Sequence, residues 1–257
     1  MATFPSGTAL ITGASVGIGR AFAQRAAADG ADLVLVARRE DALHELAADL
    51  RERFDIRVAV IPADLSLPGA AAALVAEVET RGLQIDTLVN NAGLGAHGNL
   101  AVTDVALAST QIAVNITALT ELTALLLPGM LERNTGAIIT IASTAAFQPV
   151  PHFAVYAATK AYVRSFTIAL WGELHGTGVR ALAVCPGATS TEFFAVAGAS
   201  GVGTFRTPEQ VVSSALRALH RGKASVVDGA MNAFTARIAQ RLPERLATAI
   251  AERAMRV

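Results

Sequence analysis

Short runs of apolar, mostly β-branched residues alternate along the chain with longer segments in which apolar residues recur every three or four positions. The short runs predict strands at residues 9–12, 33–37, 58–61, 87–90, 137–141, 181–185 and 225–227. The longer segments predict helices at residues 18–29, 41–53, 69–81, 103–133, 153–175 and 208–221. Strand and helix therefore follow one another through most of the chain.

This order predicts the fold class. Strands that alternate with helices form an α/β protein with a doubly wound parallel sheet of seven strands, right-handed crossovers and helices on both faces. No change in composition divides the chain, so residues 1–257 are expected to form a single domain. Ligands of such sheets bind beyond the carboxyl ends of the strands, where the strand order reverses.

Two segments stand outside this alternation. Residues 188–207 are rich in Gly, Ala and Ser and predict a mobile loop over the site. Residues 232–257 predict a C-terminal extension of two short amphipathic helices separated by Pro243. The apolar stripe of this extension consists of Phe234, Ile238, Leu242, Leu246 and Ile250. Its five arginines and two glutamates give a net charge of +3 (5 − 2).

Composition narrows the choice of function. A hydrophobic fraction of 53% with 16% charged residues suits a sheet covered on both faces. The net charge of zero gives no sign of nucleic-acid binding. Cys185 is the only cysteine, which excludes an internal disulfide and a cysteine metal cluster, and the five histidines are scattered, so no metal site is predicted.

The location of the protein is also inferred from composition. The N-terminus lacks the basic start and apolar core of a signal peptide. The most apolar stretch, residues 118–131, contains Glu121 and Pro128 and is expected to be too short and too interrupted to span a bilayer. We therefore expect a cytoplasmic protein.

Three glycines, Gly13, Gly17 and Gly19, lie between the first predicted strand and the first predicted helix. The backbone N–H groups of such a turn, together with those of Ser15 and Ile18, face a phosphate group at the start of the helix. The spacing Gly-x-x-x-Gly-x-Gly differs from the dinucleotide fingerprint Gly-x-Gly-x-x-Gly. The turn nonetheless predicts a pyrophosphate site.

Tyr156 and Lys160 are four residues apart in a predicted helix and share one of its faces. A cation beside a phenol is expected to lower the phenol pKa from ~10 toward the range of general acid–base catalysis. Ser143 lies thirteen residues before the tyrosine. Alone, the pair could be a solvated helix face and the serine the end of a strand, but together with the glycine turn they predict hydride-transfer chemistry.

These motifs, in this order, resemble the short-chain dehydrogenase/reductase family in its compact single-domain branch, whose sheet is of the Rossmann type. The resemblance covers about residues 8–221 and implies a catalytic tetrad of Asn115, Ser143, Tyr156 and Lys160. In the family the backbone carbonyl of the asparagine holds a water connected to the lysine. On the residues alone, Asn115 could instead bend its helix and Asp64 could open a turn.

The resemblance also implies which residues contact a nicotinamide dinucleotide. They follow the carboxyl ends of the strands, and they are Gly13, Ser15, Gly17, Ile18, Gly19, Asp64, Leu65, Asn91, Ala92, Gly93, Tyr156, Lys160, Pro186, Gly187, Thr189 and Thr191. Arg38 and Arg39 end the second strand, where an acidic residue would bind the ribose 2′-OH of NAD. Arginine suits a 2′-phosphate, so we expect NADP(H) rather than NAD(H), although Val16 stands where the family often has a second basic residue.

The predicted activity is the reversible interconversion of a carbonyl and an alcohol by NADP(H). The predicted substrate pocket is apolar and is lined by Phe147, Pro149, Val150, Phe153, Phe193 and Phe194. Two alternatives remain open. One is a non-catalytic NADP(H)-binding regulator, and the other is an NAD-dependent epimerase or dehydratase on the same fold. A small carbonyl or alcohol is the expected partner, and helices 103–133 and 153–175 predict a homodimer, as the family commonly pairs them.

The C-terminal extension has two interpretations. A basic amphipathic helix can lie on an anionic membrane. Alternatively, the stripe packs on the protein beside the loop and covers the cleft as a lid. We favour the lid, because the stripe is narrow and a pocket for an apolar substrate benefits from a cover.

Overall fold

The computed structural model describes residues 2–198 and 205–255. The central part of the loop predicted at residues 188–207, and Arg256 of the C-terminal extension, lie outside the described residues.

A parallel sheet of seven strands forms the centre of the molecule, with the order β3-β2-β1-β4-β5-β6-β7. The strands are β1 (Thr8–Thr12), β2 (Asp32–Ala37), β3 (Val58–Pro62), β4 (Thr87–Asn90), β5 (Gly136–Ile141), β6 (Val179–Cys185) and β7 (Ser225–Val227). The predicted doubly wound sheet is confirmed. The order reverses between β1 and β4, which places a crevice at their carboxyl ends.

The helices that connect the strands cover both faces of the sheet. They are α1 (Gly17–Ala28), α2 (Glu40–Arg53), α3 (Ala70–Thr80), α4 (Val105–Ile112), α5 (Leu119–Glu132), α6 (Ala154–Glu173), α7 (Phe193–Ala197), α8 (Pro208–His220), α9 (Ala230–Ala239) and α10 (Glu244–Met255). Short 3₁₀ turns occupy Leu100–Val102 and Thr144–Phe147.

Two apolar cores lie on opposite faces of the sheet because neighbouring strand residues point to opposite sides. In β1, Ile11 packs into the core beneath α1, α2 and α8, whereas Leu10 packs into the core beneath α3, α5 and α6. Because these strands are buried on both faces, nearly all their residues are apolar, and the strands can be identified in the sequence as continuous apolar runs.

The helix predicted over residues 103–133 is interrupted. A π-helical segment, Ala113–Ala118, separates α4 from α5. In a π-helix the hydrogen bonds run from residue i to i+5, and such segments are often found at functional sites. The spacing of apolar residues does not report this change in hydrogen bonding, so the sequence predicted one uniform helix.

The helical run Val105–Glu132 is the single one in the described ranges whose length and composition would suffice to cross a membrane. The expectation that this region is too short to do so was therefore wrong on length. Leu119, Leu122 and Met130 are buried in the cores, whereas Val105, Ile112 and Leu125 are exposed on the outer side. The predicted pairing of two chains through this outer side remains a prediction.

Candidate active site

A cleft of about 1170 Å³ runs along the carboxyl ends of the strands. The turns that follow β1 to β6 each contribute residues to its lining, from Gly13 after β1 to Pro186 after β6. The predicted motifs therefore meet in one place, because the carboxyl ends of parallel strands lie at the same edge of a sheet.

The glycine turn leaves the start of α1 open toward the cleft. Gly17 has a φ of +55°, which favours glycine, and the N-cap residue Val16 makes no side-chain capping bond. Among the described residues, the first N–H groups of α1 thus have no side-chain capping partner, which fits a phosphate group. Gly13, Ser15, Gly17 and Ile18 line the cleft. Gly19 does not, because it packs against Gly13, whose carbonyl oxygen would lie 2.3 Å from an added Cβ.

The turn is held in place by β4. The side-chain amide of Asn91 donates to the carbonyl oxygens of Thr12 at 2.9 Å and of Gly13 at 3.2 Å. The hydroxyl of Thr12 in turn accepts from the backbone N–H groups of Asn91 at 3.0 Å and Ala92 at 2.9 Å. These bonds join β1 and β4 at the switch point, where Asn91, Ala92 and Gly93 line the cleft.

Tyr156 and Lys160 lie on the cleft side of α6, and Ser143 follows β5 beside them. The ammonium of Lys160 donates to the carbonyl oxygen of Ile141 at 2.7 Å and lies 5.8 Å from the centroid of the Tyr156 ring. The rings of Phe153 and Phe193 enclose the tyrosine, with centroids 5.8 and 5.2 Å away. The three predicted residues are therefore together in an apolar setting.

The pKa values in this cluster differ from the expectation. Burial raises the pKa of Tyr156 to about 12, while hydrogen bonding to Ser143 acts in the opposite direction. Burial also lowers the pKa of Lys160 to about 8. Desolvation thus dominates the pKa of the phenol, and the ammonium of Lys160 is directed at the Ile141 carbonyl rather than at the hydroxyl. At neutral pH the tyrosine is a proton donor.

Asn115 lies behind the cleft rather than in its lining, within the π-helical segment. Its side-chain oxygen accepts from the Leu94 N–H at 3.0 Å, and its amide donates to the Leu94 carbonyl and to the Thr159 hydroxyl, both at 2.9 Å. A Cβ added at Gly93 would lie 3.2 Å from both Asn115 Oδ1 and Lys160 Nζ. Asn115 therefore fixes the loop after β4 next to the lysine.

Arg38, Arg39, Asp64 and Leu65 line the opposite end of the cleft. Hydrogen bonds from Ser66 lower the pKa of Asp64, and the charge of Arg38 adds to this effect. Arg39 forms an exposed ion pair with Glu192 at 3.2 Å, whereas Arg38 makes no ion pair within the described part of the chain. Glu192 was not predicted as a site residue, because it lies 153 positions from Arg39 in the chain and no local motif connects the two.

The segment after β6 closes over the glycine turn. Pro186, Gly187, Thr189 and Thr191 line the cleft. A Cβ at Gly17 would lie 2.9 Å from the Thr191 methyl group, and Thr189 pairs with Arg206 in an isolated bridge.

Arg206, which the sequence also did not single out, holds this segment from the other side. Its guanidinium donates two bonds to Asp228, at 2.9 and 3.0 Å, and that carboxylate also accepts from Ser214 at 2.6 Å.

Four of the six predicted pocket residues line the cleft: Val150, Phe153, Phe193 and Phe194. Phe147 does not, because it packs beneath the guanidinium of Arg164, 4.5 Å from the ring centroid. Pro149 is exposed and also lies outside the lining.

The C-terminal extension forms the outer wall of the cleft, and α9 and α10 are separated at Pro243 as predicted. The expectation that the apolar stripe covers the cleft agrees with the structure for three of its five residues, which line the cleft, and was wrong for the other two. Ala236, Ala247 and Ala251 are buried, whereas Phe234 and Leu246 are exposed outside the cleft. Ile238, Leu242 and Ile250 line the cleft at its mouth.

Comparisons with known proteins agree with this geometry. The family model described as short chain dehydrogenase matches residues 7–200. Sulfoacetaldehyde reductase 2 of Chromohalobacter salexigens is 42% identical over 187 residues, which is 72% of this chain and 73% of the relative.

Solved structures match most of the chain. A 7β-hydroxysteroid dehydrogenase has a TM-score of 0.87 at 28% identity, covering 95% of this chain and 96% of the other. A short-chain dehydrogenase from Sphingobium yanoikuyae, in complex with NADPH, has a TM-score of 0.82 at 33% identity, covering 92% and 96%. One from Burkholderia phymatum, in complex with NAD, has a TM-score of 0.81 at 26% identity, covering 93% and 94%. The chain belongs to the short-chain dehydrogenase/reductase family of oxidoreductases.

Proposed function

We propose that the protein reversibly reduces an apolar ketone or aldehyde to an alcohol with NADP(H). The observation that carries the proposal is the cluster of Ser143, Tyr156 and Lys160 in one apolar cleft with the glycine turn. A phosphate-binding turn and a buried proton donor in the same cleft are what hydride transfer to a carbonyl needs.

The proposed mechanism assigns a separate task to each side chain. The nicotinamide cofactor supplies the hydride when it is bound. Tyr156 donates its proton to the carbonyl oxygen as negative charge develops there, and Ser143 donates a hydrogen bond to the same oxygen. Lys160 keeps a positive charge beside this pair, and Asn115 fixes the loop that borders it. Phe153 and Phe193 exclude water from the phenol.

The residues at the start of α1 and after β2 fit a dinucleotide with a 2′-phosphate. The open start of α1 suits the pyrophosphate. Arg38 lines the cleft without an ion-pair partner among the described residues, which leaves its guanidinium available for a phosphate. Arg39 is engaged by Glu192. We therefore assign NADP(H) preference mainly to Arg38.

The charges in the cleft bear on the substrate class. The cations in its lining are Arg38, Arg39, Lys160 and Arg206. Arg38 and Arg39 lie at the far end, Lys160 belongs to the catalytic cluster, and Arg206 is paired with Asp228. Residues 199–204 contain no Lys or Arg in the sequence. Among the described residues, Lys160 is therefore the one unpaired cation near the catalytic cluster that an anionic substrate group could meet, which favours a neutral, apolar compound.

Matched substrates test this proposal. We expect the protein to oxidise NADPH with β-keto esters and bulky aromatic ketones, and to prefer each ester over its free acid by more than about tenfold in kcat/KM. A preference for the acids would contradict the substrate class alone. Binding of NADPH without turnover of any member of the panel would contradict the enzymatic function and favour a regulator.

A further inference from the structure

Exposed apolar side chains lie on the three helices α7, α9 and α10, each of which contributes residues to the cleft lining. We call this surface the rim, and it consists of Val196 on α7, Met231, Phe234 and Ile238 on α9, and Leu246 and Ile250 on α10. The exposed fractions reach 73% for Val196, 72% for Met231 and 60% for Phe234. Ile238 and Ile250 also line the cleft, so the rim is continuous with its apolar interior.

Arginines complete both stripes of the rim. Phe234 and Ile238 lie on α9, and Arg241 follows in the turn after that helix, where its N–H donates to the Ile238 carbonyl at 2.9 Å. On α10, Leu246 and Ile250 are followed by Arg253 at helical spacing. Arg237 and Arg245 lie beside them. Residues 230–255 contain these four arginines and two glutamates, a net charge of +2 (4 − 2). None of the four arginines forms an ion pair with another residue of the described ranges.

No residue of the ranges 2–198 and 205–255 covers this surface. The residues of α9 and α10 that face inward are small, namely Ala236, Ala247 and Ala251. Phe234 and Leu246 lie outside the cleft, and Ile238 and Ile250 stay 42% and 51% exposed although they line it. Exposure of this apolar surface to water costs free energy. An outer partner with an apolar interior would remove this cost.

The charge of the rim distinguishes between two such partners. A second copy of the chain, paired through a two-fold axis, would bring the same surface against itself. Two surfaces with the same excess of positive charge would then meet. An anionic lipid surface instead offers negative charge to the arginines and an acyl layer to the apolar side chains.

We propose that the rim docks on an anionic lipid surface and opens the cleft toward it. Phe234 and Leu246 enter the boundary between headgroups and acyl chains, while Arg237, Arg241, Arg245 and Arg253 remain at the headgroups. An apolar carbonyl compound dissolved in the bilayer then reaches Tyr156 through the mouth bordered by Ile238 and Ile250. The lipid contact does not depend on turnover, so it and the proposed activity can be tested separately.

The test uses the full chain and sedimentation with vesicles. We expect the protein to bind vesicles of equal parts phosphatidylcholine and phosphatidylglycerol, and to bind pure phosphatidylcholine at least about tenfold more weakly. Salt of about 1 M, where the Debye length is about 3 Å, should release most of the bound protein. Thermal unfolding is measured for every variant, and a cooperative transition is the criterion that the variant is folded.

Two double variants and two matched controls locate the contact. Phe234→Gln with Leu246→Gln, and Arg241→Gln with Arg253→Gln, should each weaken binding to anionic vesicles by about tenfold or more. The first pair lies outside the cleft lining. Val102→Gln with Val105→Gln removes exposed apolar groups elsewhere, and Arg221→Gln with Lys223→Gln removes the same charge elsewhere. Both controls should bind like the original chain.

Three results would overturn the proposal. The first is that the full chain fails to sediment with either kind of vesicle. The second is that the rim variants bind anionic vesicles as tightly as their controls. The third is that the rim variants convert a dimer into a monomer while vesicle binding is absent, which would identify a second copy as the occupant of the rim.

Discussion

Replacing Arg206 with Met should destabilise the protein more than replacing Arg206 and Asp228 together. The carboxylate of Asp228 has an exposed fraction of 0% and accepts two bonds from Arg206 and one from Ser214. Met fills the space of the arginine stem but leaves the buried charge without its cation. Arg206 also pairs with Thr189 in an isolated β-bridge, so the same change should loosen the segment after β6, which borders the cleft.

The magnitude follows from the burial of the pair. Removing one partner of a fully buried ion pair costs about 3–5 kcal/mol. The Arg206 side chain is 28% exposed, so solvent screens part of the charge and we expect a loss of about 2–3 kcal/mol in the free energy of unfolding. For a domain of this size that corresponds to a decrease in Tm of about 5–10 °C. Asp228→Asn in the Arg206→Met background removes the uncompensated charge and should restore about 1 kcal/mol or more.

Denaturant unfolding of both single variants and the double variant measures these differences. Arg53→Met is the control, because its pair with Asp49 is exposed on both sides and should contribute less than about 1 kcal/mol. The reasoning is refuted if Arg206→Met unfolds within the range of that control, or if the double variant is less stable than Arg206→Met. A rise in KM for the carbonyl substrate at unchanged NADPH affinity would connect the pair to closure of the cleft.

Three further predictions concern the reaction. Tyr156→Phe should lower kcat by about 10²–10⁴-fold while NADPH affinity, measured by fluorescence, stays within a few-fold; turnover close to the original would refute the assignment. Arg38→Asp should weaken NADPH far more than NADH, and Arg39→Asp should do so less because Glu192 holds that side chain; equal effects on the two dissociation constants would place cofactor preference elsewhere. The kcat/KM for reduction should fall as pH rises through about 8, where Lys160 loses its proton, whereas Tyr156 stays protonated up to about pH 12. Lys160→Arg should move that decrease to higher pH, and an unchanged pH profile would exclude the lysine as its cause.

The regular part of the fold could be predicted closely from the sequence. Strands β4 and β7 begin and end at the predicted residues, and the others differ by at most two positions at one end. A strand that is buried on both faces is apolar at nearly every position, so its first and last residues can be predicted from the length of the apolar run. The π-helical segment around Asn115 could not be predicted, because it changes hydrogen bonding without changing which residues are apolar.

In the active site, motifs next to each other in the chain were easier to predict than contacts between distant segments. Gly13 and Tyr156 belong to local patterns and lie in the cleft. Phe147 fits the same apolar pattern but stacks against Arg164, a choice that depends on where α6 packs. The pKa of Tyr156 was predicted to fall and instead rises, because its burial between Phe153 and Phe193 depends on how α7 packs against the start of α6.

The sequence by itself determined the order of strands and helices, the family, and the residues that follow each strand. Those features depend on local periodicity and on short motifs, which are properties of neighbouring positions. Only the tertiary structure decided that Arg206 pairs with Asp228 and that Glu192 engages Arg39. It also decided which large apolar residues of the C-terminal extension line the cleft and that Phe234 and Leu246 stay outside it. The physical reason is that burial, desolvation and long-range ion pairing depend on distances between segments that lie far apart in the chain.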